Sequence, residues 1–166
     1  MIRNCRAATG SMALFKNKNM FTSETQVRVR YAETDQMNIV YYGNYAQYFE
    51  VGRVESIRQL GFSYKDVEAT GVIMPVIEFT AKFIRPARYD DLLTIRTTLK
   101  DWPVDHRIEF LQEVFNERGK LLTTGKVLLY FVKVTTMEKT VMPEEMASRL
   151  RPFFDAGASP AVPGVV

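Results

Sequence analysis

The feature that most constrains this fold is a long helix pattern whose apolar residues occupy more than one stripe. The pattern runs from about Asn44 to Leu60, and Gly61 follows where a helix commonly ends in the left-handed conformation. Asn44 with Gln47 three residues later is typical of a capping box at a helix start. Because apolar side chains point in several directions around the axis, we expect neighbouring elements to enclose this helix. These residues are Tyr45, Tyr48, Phe49, Val51, Val54, Ile57 and Leu60.

Five strand patterns accompany the helix, one before it and four after it. The first covers Gln26 to Ala32, where apolar and basic side chains alternate. The other four are rich in β-branched, aromatic or alternating apolar residues: Val76 to Ile84, Leu92 to Lys100, Val104 to Phe115 and Leu121 to Val134. Because short turns connect these four, we expect antiparallel neighbours. The sequence predicts an α+β domain in which one antiparallel sheet packs against one long helix.

The two ends of the chain carry weaker signals than its middle. We predict a flexible N-terminal leader over residues 1–22 and a single domain over residues 23–142. In the leader, polar residues interrupt the apolar ones, which argues against a secretory signal. Residues 143–166 are predicted to form a short helix that ends near Leu150, followed by a disordered tail from about Asp155 that is rich in proline and small residues.

The composition restricts the chemistry and the partners available to the chain. One cysteine, Cys5, and one histidine, His106, exclude an internal disulfide and the usual zinc sites, so no metal or cofactor is predicted. His106 shares the strand parity of Ile108 and Phe110, which favours a packed or edge histidine. The net charge of +3 is not concentrated in one basic run, and no apolar run approaches the roughly 20 residues of a membrane span. We therefore expect a cytoplasmic protein that binds no nucleic acid.

The segment between the first strand and the helix carries the most specific motif. It reads Tyr31-Ala-Glu-Thr-Asp35-Gln-Met-Asn-Ile-Val40-Tyr-Tyr-Gly-Asn44-Tyr-Ala-Gln-Tyr-Phe-Glu50, and a second motif reads Phe83-Ile-Arg-Pro-Ala-Arg-Tyr-Asp-Asp91. Together they resemble the signature of hot-dog-fold acyl-CoA thioesterases of the 4-hydroxybenzoyl-CoA thioesterase family. The resemblance implies a five-stranded antiparallel sheet wrapped around the central helix, and an enzyme that hydrolyses acyl-CoA.

The resemblance also implies roles for individual residues. Asp35 would act on the thioester as nucleophile or general base, although an aspartate in such a loop could instead merely cap a turn. The backbone N–H of Tyr42 would donate to the carbonyl oxygen at the helix start, where the helix dipole favours negative charge. Gly43, where many relatives carry histidine, would let the backbone approach the thioester, and Asn44 would help to bind substrate.

Other charged residues have less specific interpretations. Glu50 is a second candidate acid, but we favour a buried pair with Arg53 at the i, i+3 spacing. Arg85 and Arg88 lie in the second motif and Lys82 immediately precedes it. Basic residues there could bind the phosphates of CoA or form a solvated basic edge. We retain Arg85 and Arg88 as candidates for phosphate binding.

The assembly and two alternative functions follow from the same resemblance. We expect a homodimer or homotetramer in which two subunits complete each site, because exposed edge strands favour pairing. One alternative is a non-catalytic protein that binds acyl-CoA, and an acyl-thioester dehydratase is another because the fold hosts several activities. Pocket depth sets acyl preference, so short, long and aromatic acyl groups all stay open.

Overall fold

The computed structural model describes residues 14–17 and 20–155, and a main sheet dominates this part of the chain. In chain order, its strands and helices are β1 (Leu14–Asn17), β2 (Met20–Arg28), α1 (Asn44–Gln59), α2 (Tyr64–Ala69), β3 (Val72–Ile73), β4 (Val76–Phe83), β5 (Leu92–Leu99), β6 (Arg107–Phe115), β7 (Leu121–Tyr130), β8 (Val132–Lys133) and α3 (Glu144–Phe154). A short 3₁₀ helix, Tyr31–Glu33, lies between β2 and α1.

The main sheet has six antiparallel strands in the order β1-β2-β5-β6-β7-β4. The small strands β3 and β8 pair separately. Helix α1 packs across one face of the main sheet against β2, β5 and β6. The five longer strands match the predicted ones in number, and β5, β6 and β7 pair in the predicted order. The predicted pairing of β4 with β5 is wrong: β4 pairs with β7 and β5 pairs with β2, so the short connection over residues 84–91 does not form a hairpin. Strand β1 adds a sixth strand at the edge.

Close packing between α1 and the sheet defines the core. Tyr48, Phe49 and Ile57 are almost fully buried on the helix face that meets the sheet. Where the helix approaches β5, a side chain at Gly52 would come within 2.6 Å of Ile95 Cγ2. The buried Gln112 amide donates to the Phe49 carbonyl oxygen over 2.8 Å, so the sheet also fixes the helix by a hydrogen bond.

The predicted helix of residues 44–60 is confirmed, but its predicted capping box is wrong. Gly61 follows the helix with a φ of +75°, as expected for a left-handed stop. Gly43 is the N-cap, and no side chain caps the helix start. The Asn44 side-chain amide instead donates to the Glu33 carbonyl oxygen over 2.7 Å, so tertiary contact with the preceding loop competes with local capping.

The first strand begins earlier than predicted. It covers Met20–Arg28 rather than residues 26–32, and together with β1 it occupies the C-terminal part of the predicted leader of residues 1–22. The reason is that small polar side chains, Thr22 and Ser23, are buried in this strand. The Thr22 hydroxyl also forms a 3.2 Å hydrogen bond with the Thr98 hydroxyl. This segment has few apolar residues, so its sequence pattern concealed the strand.

One helix was not predicted and another is longer than predicted. Helix α2 was not predicted, although Ser63 and Asp66 form a capping box at its start. Helix α3 continues past Leu150, and Phe153 packs edge-on against Phe21 with 5.0 Å between ring centroids. Cys5 and the tail predicted beyond Asp155 lie outside the described residues. Within the described residues, no helix is long and apolar enough to cross a membrane.

Candidate active site

A cleft of about 390 Å³ lies between the loop after β2, the start of α1 and the end of β4. Three residues that the sequence singled out line it: Asp35, Tyr42 and Arg85. The other lining residues are apolar or aromatic: Met37, Ile39, Val40, Tyr45, Phe83, Ile84 and Pro86. The fold therefore brings the two sequence motifs, about 50 residues apart, to one apolar cleft with a carboxylate and a guanidinium.

Asp35 lies in a tight turn that leaves part of its carboxylate free. Its backbone N–H donates to the Ile39 carbonyl oxygen over 2.9 Å, and its Oδ1 accepts a 2.8 Å hydrogen bond from the Met37 N–H. Asn38 supplies the left-handed residue of the turn, with a φ of +57°. Asp35 therefore makes the turn contact that is expected of an aspartate that only caps a turn. Its Oδ2 accepts no hydrogen bond from the part of the chain that the structure describes.

The start of α1 presents two backbone donors that have no acceptor in the described part of the chain. The Tyr41 N–H donates to the Glu33 carbonyl oxygen over 2.9 Å, and the Asn44 N–H donates to the Tyr41 carbonyl oxygen over 3.0 Å. Between them, the N–H groups of Tyr42 and Gly43 donate to no acceptor among the described residues. Free N–H groups at the positive end of a helix form an anion-binding position.

A side chain at Gly43 would have to displace the exposed ring of Tyr41. The backbone of Gly43 is right-handed, with a φ of −63° and a ψ of −25°, so the conformation itself requires no glycine. A Cβ at this position would instead lie 2.8 Å from Cε1 of Tyr41. The Tyr41 and Tyr42 rings pack together with 4.5 Å between centroids, so Gly43 leaves space for this aromatic pair at the helix start.

The basic residues in and just before the second motif have different surroundings. Arg85 lines the cleft, and its guanidinium donates to the Leu121 carbonyl oxygen over 2.8 Å. The Arg88 guanidinium donates to the Asn38 carbonyl oxygen over 3.4 Å, and so contacts the turn that carries Asp35. Lys82 lines a separate groove together with Thr98 and other residues of the sheet. The three side chains do not converge on one position.

The predicted buried pair of Glu50 and Arg53 is wrong. Arg53 is only 6% exposed, whereas Glu50 is exposed, and no ion pair joins them. A three-residue step on a helix turns the side chain by about 60°, which here carries Arg53 to the buried face and leaves Glu50 outside. Burial lowers the pKa of the Arg53 guanidinium, although the nearby Tyr64 and Glu50 oppose this shift.

Two further residues have clear surroundings. His106 is half-buried and packs edge-on against Tyr130 with 4.7 Å between ring centroids, which confirms the predicted packed histidine outside the cleft. Asn44 does not line the cleft, because its amide braces the Glu33 carbonyl. The described residues contain no cluster of three or more acidic, histidine or cysteine side chains that could hold a metal ion.

Glu33 is a carboxylate enclosed beside the cleft, and the sequence motifs did not predict it as a site residue. It is 5% exposed and accepts hydrogen bonds from Arg30 and Tyr48. Its only sequence signal was its position inside the first motif, two residues before Asp35. Burial of this acid depends on Tyr48, which a pattern confined to the loop does not reveal.

Comparison with known proteins places the cleft in a shared region. A family model described as the thioesterase-like superfamily matches residues 29–150. YneP of Bacillus subtilis, named provisionally as an acyl-CoA thioesterase, is 37% identical over 102 residues, which cover 61% of this chain and 73% of YneP. The acyl-CoA thioester hydrolase YbgC of Escherichia coli O6:H1 is 30% identical over 125 residues, covering 75% of this chain and 92% of YbgC.

A solved structure extends the likeness to three dimensions. The crystal structure of a DHNA-CoA thioesterase from Staphylococcus aureus superimposes with a TM-score of 0.72 and 34% sequence identity. The superposition covers 79% of this chain and 91% of that protein. The family match over residues 29–150 includes the Asp35 turn, all of α1 and the end of β4, which are the three parts that form the cleft.

Proposed function

The chain belongs to the thioesterase-like superfamily, and we propose that it hydrolyses an acyl-CoA thioester in the cleft at the start of α1. Thioester hydrolysis is the reaction that the names of YbgC and of the S. aureus protein give, and the hot-dog α+β fold predicted from the sequence is confirmed. One observation supports the site above all. Asp35 and Tyr42 line the same apolar cleft, and among the described residues neither the Asp35 Oδ2 nor the Tyr42 backbone N–H has a hydrogen-bond partner.

The free N–H groups of Tyr42 and Gly43 serve as the oxyanion site in this proposal. Attack on a thioester carbonyl moves negative charge onto its oxygen. Two N–H donors at the positive end of the 16-residue helix α1 stabilise that charge more than they stabilise the neutral carbonyl. The backbone therefore performs this role, and the Tyr42 ring forms part of the cleft wall.

Asp35 supplies the acid–base or nucleophilic chemistry through its free Oδ2. In one route, Oδ2 attacks the carbonyl carbon, the C–S bond breaks, CoA leaves as thiolate, and water hydrolyses the resulting mixed anhydride. In the other, Oδ2 takes a proton from water, the hydroxide attacks the carbonyl carbon, and the thiolate leaves in the same way. In both routes the proton that water leaves on the Asp35 carboxyl passes to the CoA thiolate, so the products are a free acid and CoA thiol, and the carboxylate is regenerated. Both routes stay open.

Substrate contacts divide between apolar and basic parts of the cleft. Ile39, Val40 and Phe83 offer an apolar surface to the acyl group. Arg85 lines the same cleft and is our candidate for a CoA phosphate, with Arg88 beside the turn as a second. A cytoplasmic location, which the single cysteine favours, stays a prediction.

A homodimer formed along β4 is part of the proposal. Strand β4 pairs with β7 on one side and has no strand on its other side among the described residues. Its apolar side chains Val76, Ile77, Phe79 and Phe83 are 40–51% exposed. Because Phe83 also lines the cleft, a second copy along this edge would extend the cleft wall. Further association into a homotetramer stays a prediction.

The experiment that tests the proposal measures thiol release from short, long and aromatic acyl-CoAs. The protein is compared with Asp35→Asn, which keeps the side-chain shape and removes the charge. We expect the substitution to lower kcat by roughly 100-fold or more, because it removes the group that attacks or activates water. Asp101→Asn is the control variant. It makes the same change at an exposed acid outside the cleft and should retain full turnover.

Three results would contradict parts of this proposal. Binding of acyl-CoA without thiol release from any substrate would favour the non-catalytic alternative. Formation of an alkene without free thiol would indicate the dehydratase. Full turnover by folded Asp35→Asn would remove Asp35 from the mechanism and leave the exposed Glu50 as the candidate acid.

A further inference from the structure

We infer that Glu33 is a positioning residue that holds Asp35 and the Tyr42 N–H in a fixed relation across the cleft. The inference rests on the proposed function, because it assigns Glu33 a role in that site. Glu33 does not line the cleft, so its carboxylate does not touch the reacting atoms. It acts through the backbone of the loop between the 3₁₀ helix and α1.

The Glu33 carboxylate joins the entry of the loop to the second turn of α1. Its Oε2 accepts a 2.8 Å hydrogen bond from the Arg30 N–H and a 2.7 Å hydrogen bond from the Tyr48 hydroxyl. Its Oε1 accepts a 2.7 Å hydrogen bond from Arg30 Nε. The Tyr48 ring is 1% exposed, so this contact anchors the loop to a side chain that the core holds rigidly.

The Glu33 backbone carbonyl joins the same loop to the start of α1. It accepts hydrogen bonds from the Tyr41 N–H, over 2.9 Å, and from Asn44 Nδ2, over 2.7 Å. Tyr41 immediately precedes the free N–H of Tyr42, and Asp35 follows Glu33 by two residues. Through short hydrogen bonds, Glu33 therefore connects Arg30, which precedes Asp35 in the loop, with the residues at the start of α1 that present the oxyanion donor.

The surroundings of Glu33 favour its charged form. Burial raises the pKa of this carboxyl, but the hydrogen bonds from the Arg30 N–H, the Tyr48 hydroxyl and the Arg30 guanidinium together lower it below its ordinary value. A charged carboxylate can accept from all three donors at once. A glutamine at this position has one acceptor oxygen, and its amide would meet the donors of Arg30 or Tyr48. The charge is therefore part of how the loop is held.

The test is steady-state thioester hydrolysis by Glu33→Gln, with the wild-type protein measured first. We expect kcat to fall by about 10- to 100-fold while KM changes by less than about threefold, because misplacement of reacting groups by about 1 Å can cost 100-fold. Tyr48→Phe removes only the hydroxyl donor and should lower kcat by a smaller factor. It also keeps the inference testable if Glu33→Gln fails to fold.

Glu24→Gln is the matched control. Glu24 is a half-buried acid that accepts a 2.8 Å hydrogen bond from Arg96 Nε on the main sheet, outside the cleft. The same chemical change there also breaks an arginine pair, and we expect kcat to stay within twofold of the wild-type value. An equal loss of kcat in Glu24→Gln and Glu33→Gln would overturn the inference, since general destabilisation would then explain both.

Hydrogen exchange separates this inference from the proposed function. In folded Glu33→Gln, peptides over residues 34–43 should exchange faster than in the wild type, while peptides from β5 and β6 should not change. Unchanged exchange over residues 34–43, or wild-type kcat in folded Glu33→Gln and Tyr48→Phe, would overturn the positioning role alone. A wild-type protein that releases no thiol would overturn the proposed function, whatever the exchange shows, and with it the role of Glu33 in catalysis.

Discussion

Two carboxylates lie two residues apart in the loop before α1, and their surroundings differ sharply. Glu33 is buried and accepts three hydrogen bonds, so its oxygens are fully used by the protein. Asp35 is half-exposed, and one of its oxygens holds a turn while the other faces no donor from the described residues. A carboxylate engaged on all sides suits a structural task, and one with a free oxygen suits a reaction.

The buried position of Glu33 predicts a pH-dependent stability. Its pKa in the folded protein lies below its ordinary value of 4.5. Ionised Glu33 therefore stabilises the fold at pH values above about 4.5, and this contribution disappears as pH falls through the folded-state pKa. We expect the Tm of the wild type to exceed that of Glu33→Gln at pH 7, and the difference to narrow below about pH 4.5.

Thermal unfolding of both proteins between pH 7 and pH 3 measures this effect. Glu24→Gln again serves as the control, because it makes the same chemical change at an acid on the main sheet, outside the cleft. A constant difference in Tm between the wild type and Glu33→Gln across the whole range would contradict a lowered pKa for Glu33.

The sequence motifs indicated residues that share the cleft, but not which charged side chains are buried. Asp35, Tyr42 and Arg85 came from two motifs, and the structure brings all three to one cleft. The surroundings of Glu33 depend on Tyr48, which a local pattern does not link to it. The Glu50–Arg53 spacing allowed an ion pair, but the rotation of α1 relative to the sheet placed the two side chains in different environments.

At the scale of elements, apolar patterns predicted α1 and the strands β4 to β7. The failures have a common cause, which is that tertiary contacts outweighed local preference. Strand β2 begins among small polar residues because the whole segment pairs with β5, from Phe21 opposite Leu99 to Arg28 opposite Leu92. Helix α3 continues through Pro152 because Phe153 and Phe154 pack against Phe21 and Trp102.

The contact between α1 and β7 predicts a strong effect of a single methyl group. A Cβ at Gly125 would lie 2.5 Å from the Thr80 carbonyl oxygen of β4 and would also collide with the Phe49 ring. Neither a paired strand backbone nor a buried ring can move freely, so Gly125→Ala should destabilise the fold by about 1–3 kcal/mol. Urea unfolding measures this value as a lower midpoint with an unchanged slope.

Thr124→Ala is the control for this prediction. Thr124 neighbours Gly125 on β7, is half-buried, and points to the opposite face of the sheet. Its replacement should change the free energy of unfolding by less than about 1 kcal/mol. Equal stability of Gly125→Ala and the wild type would mean that α1 packs less tightly on the sheet than described.

At the scale of the whole molecule, the surfaces of the main sheet differ in character. The face away from α1 carries ion pairs that join neighbouring strands, such as Arg96 with Glu24 and Glu113, and Lys126 with Glu78 and Glu109. The edge at β4 instead exposes apolar side chains. Charges that already have partners gain little from a second protein surface, whereas an apolar edge with free backbone groups gains both burial and hydrogen bonds. We therefore expect a homodimer to form along this edge and not across the charged face.

A charge placed on this edge tests the dimer and its link to activity. Val76 is 51% exposed on β4, so a monomer tolerates Val76→Glu, whereas in a dimer along this edge the added charge would be buried against apolar side chains of the second copy. We expect sedimentation to show a dimer for the wild type and a shift towards monomer for Val76→Glu. Thiol release should fall with the dimer fraction, since the cleft wall is incomplete in the monomer.

Val104→Glu makes the same change at a residue that is 86% exposed outside β4, and it should preserve both the dimer mass and the turnover. A wild-type monomer with full activity would contradict the dimer, and an active monomer of Val76→Glu would show that one chain completes the site.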